Sequence, residues 1–278
     1  MTTIHLAYQS FVQAIQHLQG LGEAKSIARI VFEDAFQLFD FQSNHPFIHQ
    51  NKLDEIQTRL LANEPVQYIL GQADFYGLKF EVNPAVLIPR PETEELVYWI
   101  LETISTSNVP ILDIGTGSGC IPITLKKKLP NAAISGVDIS EKALAVAKTN
   151  ALKNQVAVNF AKIDILNKKD WAKLPKFDII VSNPPYIPFE EIKLMPPQVT
   201  DFEPNLALFV SNADPLIFYQ TIAEFALEKL NQNGQLFFEC NEFNAQKVVD
   251  LLRDLNFQKV DLQKDMEGKE RMICATSI

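Results

Sequence analysis

Apolar and polar positions change their period partway along the chain. Over the first seventy residues Leu6, Phe11, Ile15 and Leu18 approximate one apolar stripe, and Ile27, Ile30, Val31, Phe36 and Leu38 continue it. Their three- and four-residue steps are the period of a helix buried on one face. Gly20 and Gly22 interrupt the run, and Ser43-Asn44-His45-Pro46 interrupts it again. Leu53, Ile56, Leu60 and Leu61 mark a further helix that stops before Pro65. The pattern predicts a small helical bundle over 1–72, packed on its own core, with partner recognition as a second role. Phe75 to Val82 then reads as extended, with Gly77 as its turn and Phe80 and Val82 alternating with polar neighbours. In the stretch from Leu87 to Glu94 two prolines stiffen the chain, and Pro91 suits the first turn of a helix through Leu96 and Ile100. Residues 73–94 form a β-hairpin connector in this reading.

From Pro110 short apolar runs bounded by turn residues alternate with helical segments. The strands expected are Ile111–Ile114, Ala133–Val137, Val156–Lys162, Phe177–Val181, Gln235–Glu239, Phe257–Leu262 and Met272–Ala275. Helices are expected near Ile121–Lys128, Glu141–Asn154, Pro215–Leu230 and Asn244–Leu255. Strand–helix alternation implies parallel pairing through right-handed crossovers, so the prediction is an α/β fold with a seven-stranded, mostly parallel sheet over 95–278. No helix fits between the last two strands, so the final strand is expected to enter antiparallel.

Composition narrows the chemistry. Apolar residues are 47% and charged residues 21% of the 278, ordinary globular usage. The net charge of −9 argues against a duplex-coating role, which depends on neutralising phosphates with Lys and Arg. Cys120, Cys240 and Cys274 are odd in number and without a CxxC pair, which fits neither a disulfide framework nor a zinc ribbon. No basic start with an apolar run opens the sequence, and no stretch approaches a membrane span. The expectation is a soluble cytoplasmic monomer with no metal, no membrane and no direct nucleic-acid partner. His5, His17, His45 and His49 all precede residue 50, so chemistry in the α/β half uses no local imidazole.

Ile111-Leu112-Asp113-Ile114 leads into Gly115-Thr116-Gly117-Ser118-Gly119, a glycine-rich turn between a buried strand and a helix. Glycine permits positive φ and close approach of a ligand to the backbone. Asp138 closes the next strand, where a carboxylate can accept ribose hydroxyls. A dinucleotide fingerprint is GxGxxG, which from Gly115 would need glycine where this chain has Cys120. The GxGxG pattern after Asp113 instead suits S-adenosyl-L-methionine, which has no phosphate to be repelled and carries a sulfonium and an ammonium. A glycine turn also serves purely structural ends. Asp164, after the third strand, is placed to accept the adenine amino group with Ile165 against the ring; the alternative is a turn or cap acid.

Ser182 precedes Asn183-Pro184-Pro185-Tyr186 after the fourth strand, on the ligand-binding side of an open α/β sheet. The Asn183 side-chain carbonyl and the stiffened Pro184 backbone carbonyl are two acceptors that can grip both hydrogens of a planar NH₂, with Tyr186 offering a face to the group bearing it. An amide or arylamine nitrogen is a poor nucleophile, and a grip that tightens as positive charge develops favours the transition state. The alternative is a structural diproline turn.

These two motifs together resemble class I, Rossmann-like methyltransferases acting on planar amino nitrogens, a group containing nucleic-acid adenine N6 enzymes and protein glutamine enzymes. Glu64–Gly71, Phe75-Tyr76-Gly77 and Ile88–Glu94 resemble the PrmC/HemK family, the protein-(glutamine-N5) methyltransferases of peptide chain release factors. So do Phe202-Glu203-Pro204 with Ala207-Leu208, Gly234, Glu239 and the closing Asp265, Gly268 and Arg271. The resemblance implies an enzyme that methylates N5 of the glutamine in a release-factor GGQ loop, yielding S-adenosyl-L-homocysteine. It implies cofactor contacts from Asp113, Gly115, Thr116, Gly117, Ser118, Gly119, Asp138, Asp164, Ile165 and Asn183. Asn183, Pro184, Pro185 and Tyr186 would hold the glutamine, Arg90, Thr93 and Glu94 would close the pocket, and 1–72 would recognise the factor. A sister branch methylating a ribosomal-protein glutamine typically has Pro-Arg-Ser-Pro where this chain has Pro89-Arg90-Pro91-Glu92. Two positions depart from the family: Glu239-Cys240-Asn241 stands for Glu-Ile-Gly, and Pro215 for glycine. The rival readings are the ribosomal-protein and adenine N6 activities, and a non-catalytic binding protein on the same scaffold.

Overall fold

The structure, a computed structural model, describes residues 2–104 and 108–277; Met1, 105–107 and Ile278, within the expected 1–72 and 95–278 spans, lie outside the described residues. The chain divides into two compact units, Met1–Gln72 with Pro196–Phe202, and Ala73–Met195 with Glu203–Ile278.

In the first unit α1 (Ile4–Phe36), α2 (Gln50–Leu61) and α3 (Val66–Leu70) pack around one aromatic-rich core. Phe32 is fully buried there and stacks on Phe47 with ring centroids 5.6 Å apart. α1 is broken at Gly20, whose φ of 79° lies outside the helical region, whereas Gly22 continues the second half. The stripe expected at Leu6 and Leu18 is corrected: both side chains are exposed, and Ile4, Ala7, Phe11 and Ile15 face inward. A four-residue step from Phe11 reaches Ala7 rather than Leu6, and Leu18 lies in the last turn before the break at Gly20.

The second unit opens with a hairpin, β1 (Gln72–Phe75) and β2 (Leu78–Glu81), turned by Tyr76 and Gly77, both at positive φ (51° and 74°). Two successive left-handed residues give the turn whose twist matches that of the strands it joins. α4 (Pro91–Thr103) follows, with Pro91 in its first turn. Then come β3 (Pro110–Ile114), α5 (Cys120–Lys128), β4 (Ala133–Asp138), α6 (Glu141–Lys153), β5 (Asn159–Lys162), α7 (Lys168–Trp171) and β6 (Phe177–Ser182). After β6 lie β7 (Ile187–Pro188), a 3₁₀ turn (Phe189–Leu194), α9 (Asn205–Leu208) and β8 (Phe209–Val210), with α8 (Pro197–Thr200) between the 3₁₀ turn and α9 in the stretch that belongs to the first unit. α10 (Ile217–Lys229), β9 (Leu230–Glu239), α11 (Ala245–Asp254), β10 (Lys259–Lys264) and β11 (Glu270–Thr276) complete it.

Seven strands form one sheet in the order β10-β11-β9-β6-β3-β4-β5, and β11 alone runs antiparallel to its neighbours. Successive strand residues face opposite sides. Leu112, Ile180 and Phe238 therefore join the core under α10 and α11, while Ile111, Ile179 and Phe237 join the core under α4 and α5. Burial on both faces explains why these strands read as near-continuous apolar runs. Strand boundaries shift by one or two residues from expectation, for instance at β10 and β11, and two shift by more. β5 begins at Asn159 rather than Val156, although Val156 and Val158 still pack on the core. β9 begins at Leu230, extended by pairing with Phe177 of β6. Among the described residues no helix is long and apolar enough to cross a membrane.

Candidate active site

Register builds the site. Ile114 pairs with Val137 on one side and Ser182 on the other, and Ser182 pairs with Phe238. The residues next after these four, Gly115, Asp138, Asn183 and Glu239, therefore emerge together at the carboxyl edge of the sheet. In open α/β sheets ligands bind beyond that edge.

Gly115 and Gly119, at φ 76° and 80°, shape the turn into α5. A Cβ on Gly119 would stand 2.9 Å from Ile123 and 3.1 Å from Ala147, so α5 and α6 approach here only because it is glycine. Gly115 and Gly117 differ: a Cβ on either would project into unfilled space, and both line a cavity of about 390 Å³. The Gly117 N–H donates to Asp138 Oδ2 across 2.9 Å and the Ser140 N–H to Oδ1 across 2.8 Å. Burial raises the Asp138 pKa, and these backbone donors pull it back in part.

Asp113 is 1% exposed, and neither carboxylate oxygen reaches a hydrogen-bond donor among the described residues. Burial pushes its pKa up to about 7; the Thr116 hydroxyl, short of good hydrogen-bond geometry, offsets part of this, and Asp138 adds repulsion. A buried carboxylate without donors is a costly arrangement unless a cation or a proton meets it. A ligand with an ammonium group and no phosphate fits that donor set and the bare glycine turn.

Across the cavity the Ser182 hydroxyl donates to the Ile114 carbonyl at 2.7 Å, tying the loop after β6 to the end of β3. Asn183, Pro184 and Pro185 line the cavity together with Asp138, Asp164 and Ile165. Tyr186 does not; it packs against the α10/α11 core, and burial raises its pKa, with Glu239 adding to that and Arg271 and Arg90 opposing it. Asp164 does two things: it lines the wall, and its Oδ1 accepts the Leu166 N–H at 3.0 Å as a turn acid. The Trp171 ring N–H holds the Ile165 carbonyl at 2.8 Å, which fixes that side of the wall.

The remaining candidates separate. Thr93 is buried and donates to Glu239 Oε2 at 2.6 Å, and Asn183 Nδ2 donates to Thr93 Oγ1 at 3.3 Å. Arg90 and the Ile88 N–H instead hold Glu203, at 2.5 and 3.1 Å, and Glu94 accepts the Tyr76 N–H of the hairpin turn at 2.9 Å. Arg90 and Glu94 thus brace the hairpin turn and the segment leading to α4, and none of Arg90, Thr93 and Glu94 lines the cavity. Asp113, Thr116, Ser118 and Gly119 lie off its wall as well.

Two groups have no site role in the sequence reading. Leu87, Ile139, Phe218 and Ile222 supply apolar wall, and nothing in their local patterns separates them from core positions. Glu239, 2% exposed, carries a pKa that burial pushes up to about 7, while Thr93, Arg271 and Asn183 oppose the shift and Glu92 adds to it. A carboxylate ending the apolar run Leu236-Phe237-Phe238 was the available signal.

Residues 96–195 match the family model of the methyltransferase small domain. The chain is 45% identical over 275 residues to the release factor glutamine methyltransferase of Flavobacterium psychrophilum, covering 95% of each chain. It is 45% identical over 226 residues to that of Bacteroides thetaiotaomicron, 81% of each. Among solved structures the fold is similar to a methyltransferase from Pyrococcus furiosus, with a TM-score of 0.53 at 19% identity, covering 81% of this chain and 100% of the other.

Proposed function

Given that this chain belongs to the release factor glutamine methyltransferase family, we propose that it methylates N5 of the glutamine in the GGQ motif of peptide chain release factors, using S-adenosyl-L-methionine. The observation that carries the reading is the shared edge of β3 and β6, which brings the bare Gly115–Gly117 turn and Asn183-Pro184 onto one cavity. When bound, the cofactor supplies a methyl group made electrophilic by its sulfonium, and leaves as S-adenosyl-L-homocysteine.

The chain's own residues do the positioning. Asp113 and the glycine turn receive the amino-acid end of the cofactor, Asp138 the ribose, and Asp164 with Ile165 the adenine. Asn183 Oδ1 and the Pro184 carbonyl accept the two N–H bonds of the glutamine side chain, and Tyr186 and Pro185 bound its carboxamide plane. Both acceptors are fixed before substrate arrives: Ser182 is tied to β3, and the prolines have no freedom in φ. Orientation of this kind contributes up to ~7–11 kcal/mol in ideal intramolecular cases. No strong base is required, because the nitrogen sheds a proton readily once it carries positive charge. The helical residues 1–72 would contribute recognition of the factor, with the enzyme acting in the cytoplasm as a monomer without direct nucleic-acid contact. Equilibrium binding of a release factor to the full chain, compared with binding of a factor whose GGQ glutamine is replaced by alanine, tests this. Equal indifference to both would count against the assignment.

A further inference from the structure

A planar side-chain amide has two chemically opposite ends, and Asn183 can serve a substrate NH₂ only if its oxygen, not its nitrogen, faces the cleft. Resting on the role of Asn183 argued above, we propose that Glu239, acting through Thr93, is the positioning residue that decides which end of that amide is presented.

The number of available protons fixes the orientation. An ionised carboxylate only accepts, and a threonine hydroxyl has a single proton to donate. Thr93 Oγ1 gives that proton to Glu239 Oε2 across 2.6 Å, so what remains toward Asn183 is lone pairs. Its neighbour at 3.3 Å must then be a donor, and Nδ2 is the atom found there. Asn183 also opposes the rise of the Glu239 pKa, as a donor facing that carboxylate does. A flipped amide would set Oδ1 against a hydroxyl oxygen and a carboxylate whose one shared proton is already used. Water does not relieve that clash, since Thr93 is 3% and Glu239 2% exposed. Buried acceptors facing acceptors lose the full desolvation cost of the group. With Nδ2 held, Oδ1 turns away from Thr93, and Asn183 lines the cavity.

The chain is polar end to end and its direction is set at Glu239. That carboxylate is faced by Arg271 from β11 and Glu92 from α4, with Tyr186, Cys240, Cys120 and Tyr219 in electrostatic reach. A proton added to Glu239 would give the chain a second donor, letting Thr93 point at Asn183 and the amide reverse.

The test uses the full-length enzyme with a release factor as substrate, and reads kcat, KM and calorimetric affinity for S-adenosyl-L-methionine. Thr93→Ser keeps the hydroxyl and should stay within about threefold of wild-type kcat, whereas Thr93→Val should lose about ten- to a hundredfold, the scale of one mispaired buried polar group. Cofactor affinity should hold in both. The double variant Thr93→Val, Asn183→Ala should be no slower than Asn183→Ala alone, since both act on one acceptor. Wild-type kcat should fall as Glu239 gains a proton, and Glu239→Gln should be slow and lack that limb. Full activity in Thr93→Val, or two independent losses multiplying in the double variant, would overturn the inference. A wild-type enzyme that leaves the factor unmodified would instead overturn the reading of Asn183 beneath it.

Discussion

Near the end of β3, behind the glycine turn, Asp113 keeps two carboxylate oxygens in the interior without a donor, and its pKa is pushed up to about 7 by that burial. Below that pH the side chain is protonated and offers no charge; above it the carboxylate is available to an ammonium. Affinity for S-adenosyl-L-methionine should accordingly strengthen from pH 6 to pH 8, by up to about tenfold per pH unit in the titrating range. Calorimetry at the two pH values checks this, and Asp113→Asn should bind weakly and without the slope. Asn183 makes a different demand, because its contribution grows as charge develops on nitrogen. Asn183→Ala should lower kcat by about 10²–10³, the scale seen when one preorganised polar group is removed from a transition state. Its cofactor affinity should change little. Asp138→Ala should do the reverse in calorimetry, mainly weakening cofactor binding, because Asp138 also holds the Gly117 and Ser140 N–H groups that shape the turn.

Between elements, one buried side chain joins the hairpin to the glycine turn. Asn150, on α6 and fully buried, accepts the Glu81 N–H at 2.6 Å and donates to the Glu81 and Ser118 carbonyls at 2.9 Å each. Asn150→Ala strips partners from three backbone groups, and each buried group left unpaired costs about 1–3 kcal/mol. Urea unfolding should show a lower midpoint with an unchanged slope, and an unchanged midpoint would remove Asn150 from this linking role. Such a tie was invisible in the sequence, since it depends on α6 packing beside a strand 69 residues away. The elements it joins were legible. Tyr76-Gly77 sits between alternating residues, and the apolar runs at 111–114 and 177–182 are bounded by turn formers, so hairpin and strands follow from local period. Thr93 and Asn183 were recognisable as polar residues near a cleft, but their meeting with Glu239 required the register of β6 against β9. The short pairing of β7 with β8 was equally hidden, because two-residue strands leave no periodic trace.

Taken as a whole, the molecule places two carboxyls in its interior whose pKa values rise to about 7, Asp113 and Glu239. The ordinary values are 3.8 and 4.5, so between those values and about 7 the folded chain binds more protons than the unfolded one. Stability from this source is therefore fully present on the acid side of the window and is lost as pH rises through it. The urea midpoint of the cofactor-free protein should be higher at pH 5.5 than at pH 8, and the double variant Asp113→Asn, Glu239→Gln should flatten the difference. A midpoint that climbs from pH 5.5 to 8 would show that the interior holds these groups charged and compensated. The same economy of charge serves the reaction: a chain with net charge −9 and no histidine beyond residue 49 moves no proton through imidazole and relies on oriented acceptors.

The most direct test of that reliance is mass spectrometry of a full-length release factor after incubation with this enzyme and S-adenosyl-L-methionine. The peptide carrying GGQ should gain the mass of one methyl group, and fragmentation should assign it to the side-chain nitrogen of the glutamine. An unmodified glutamine in the presence of cofactor-bound enzyme, or label transferred to DNA in its place, would contradict the account.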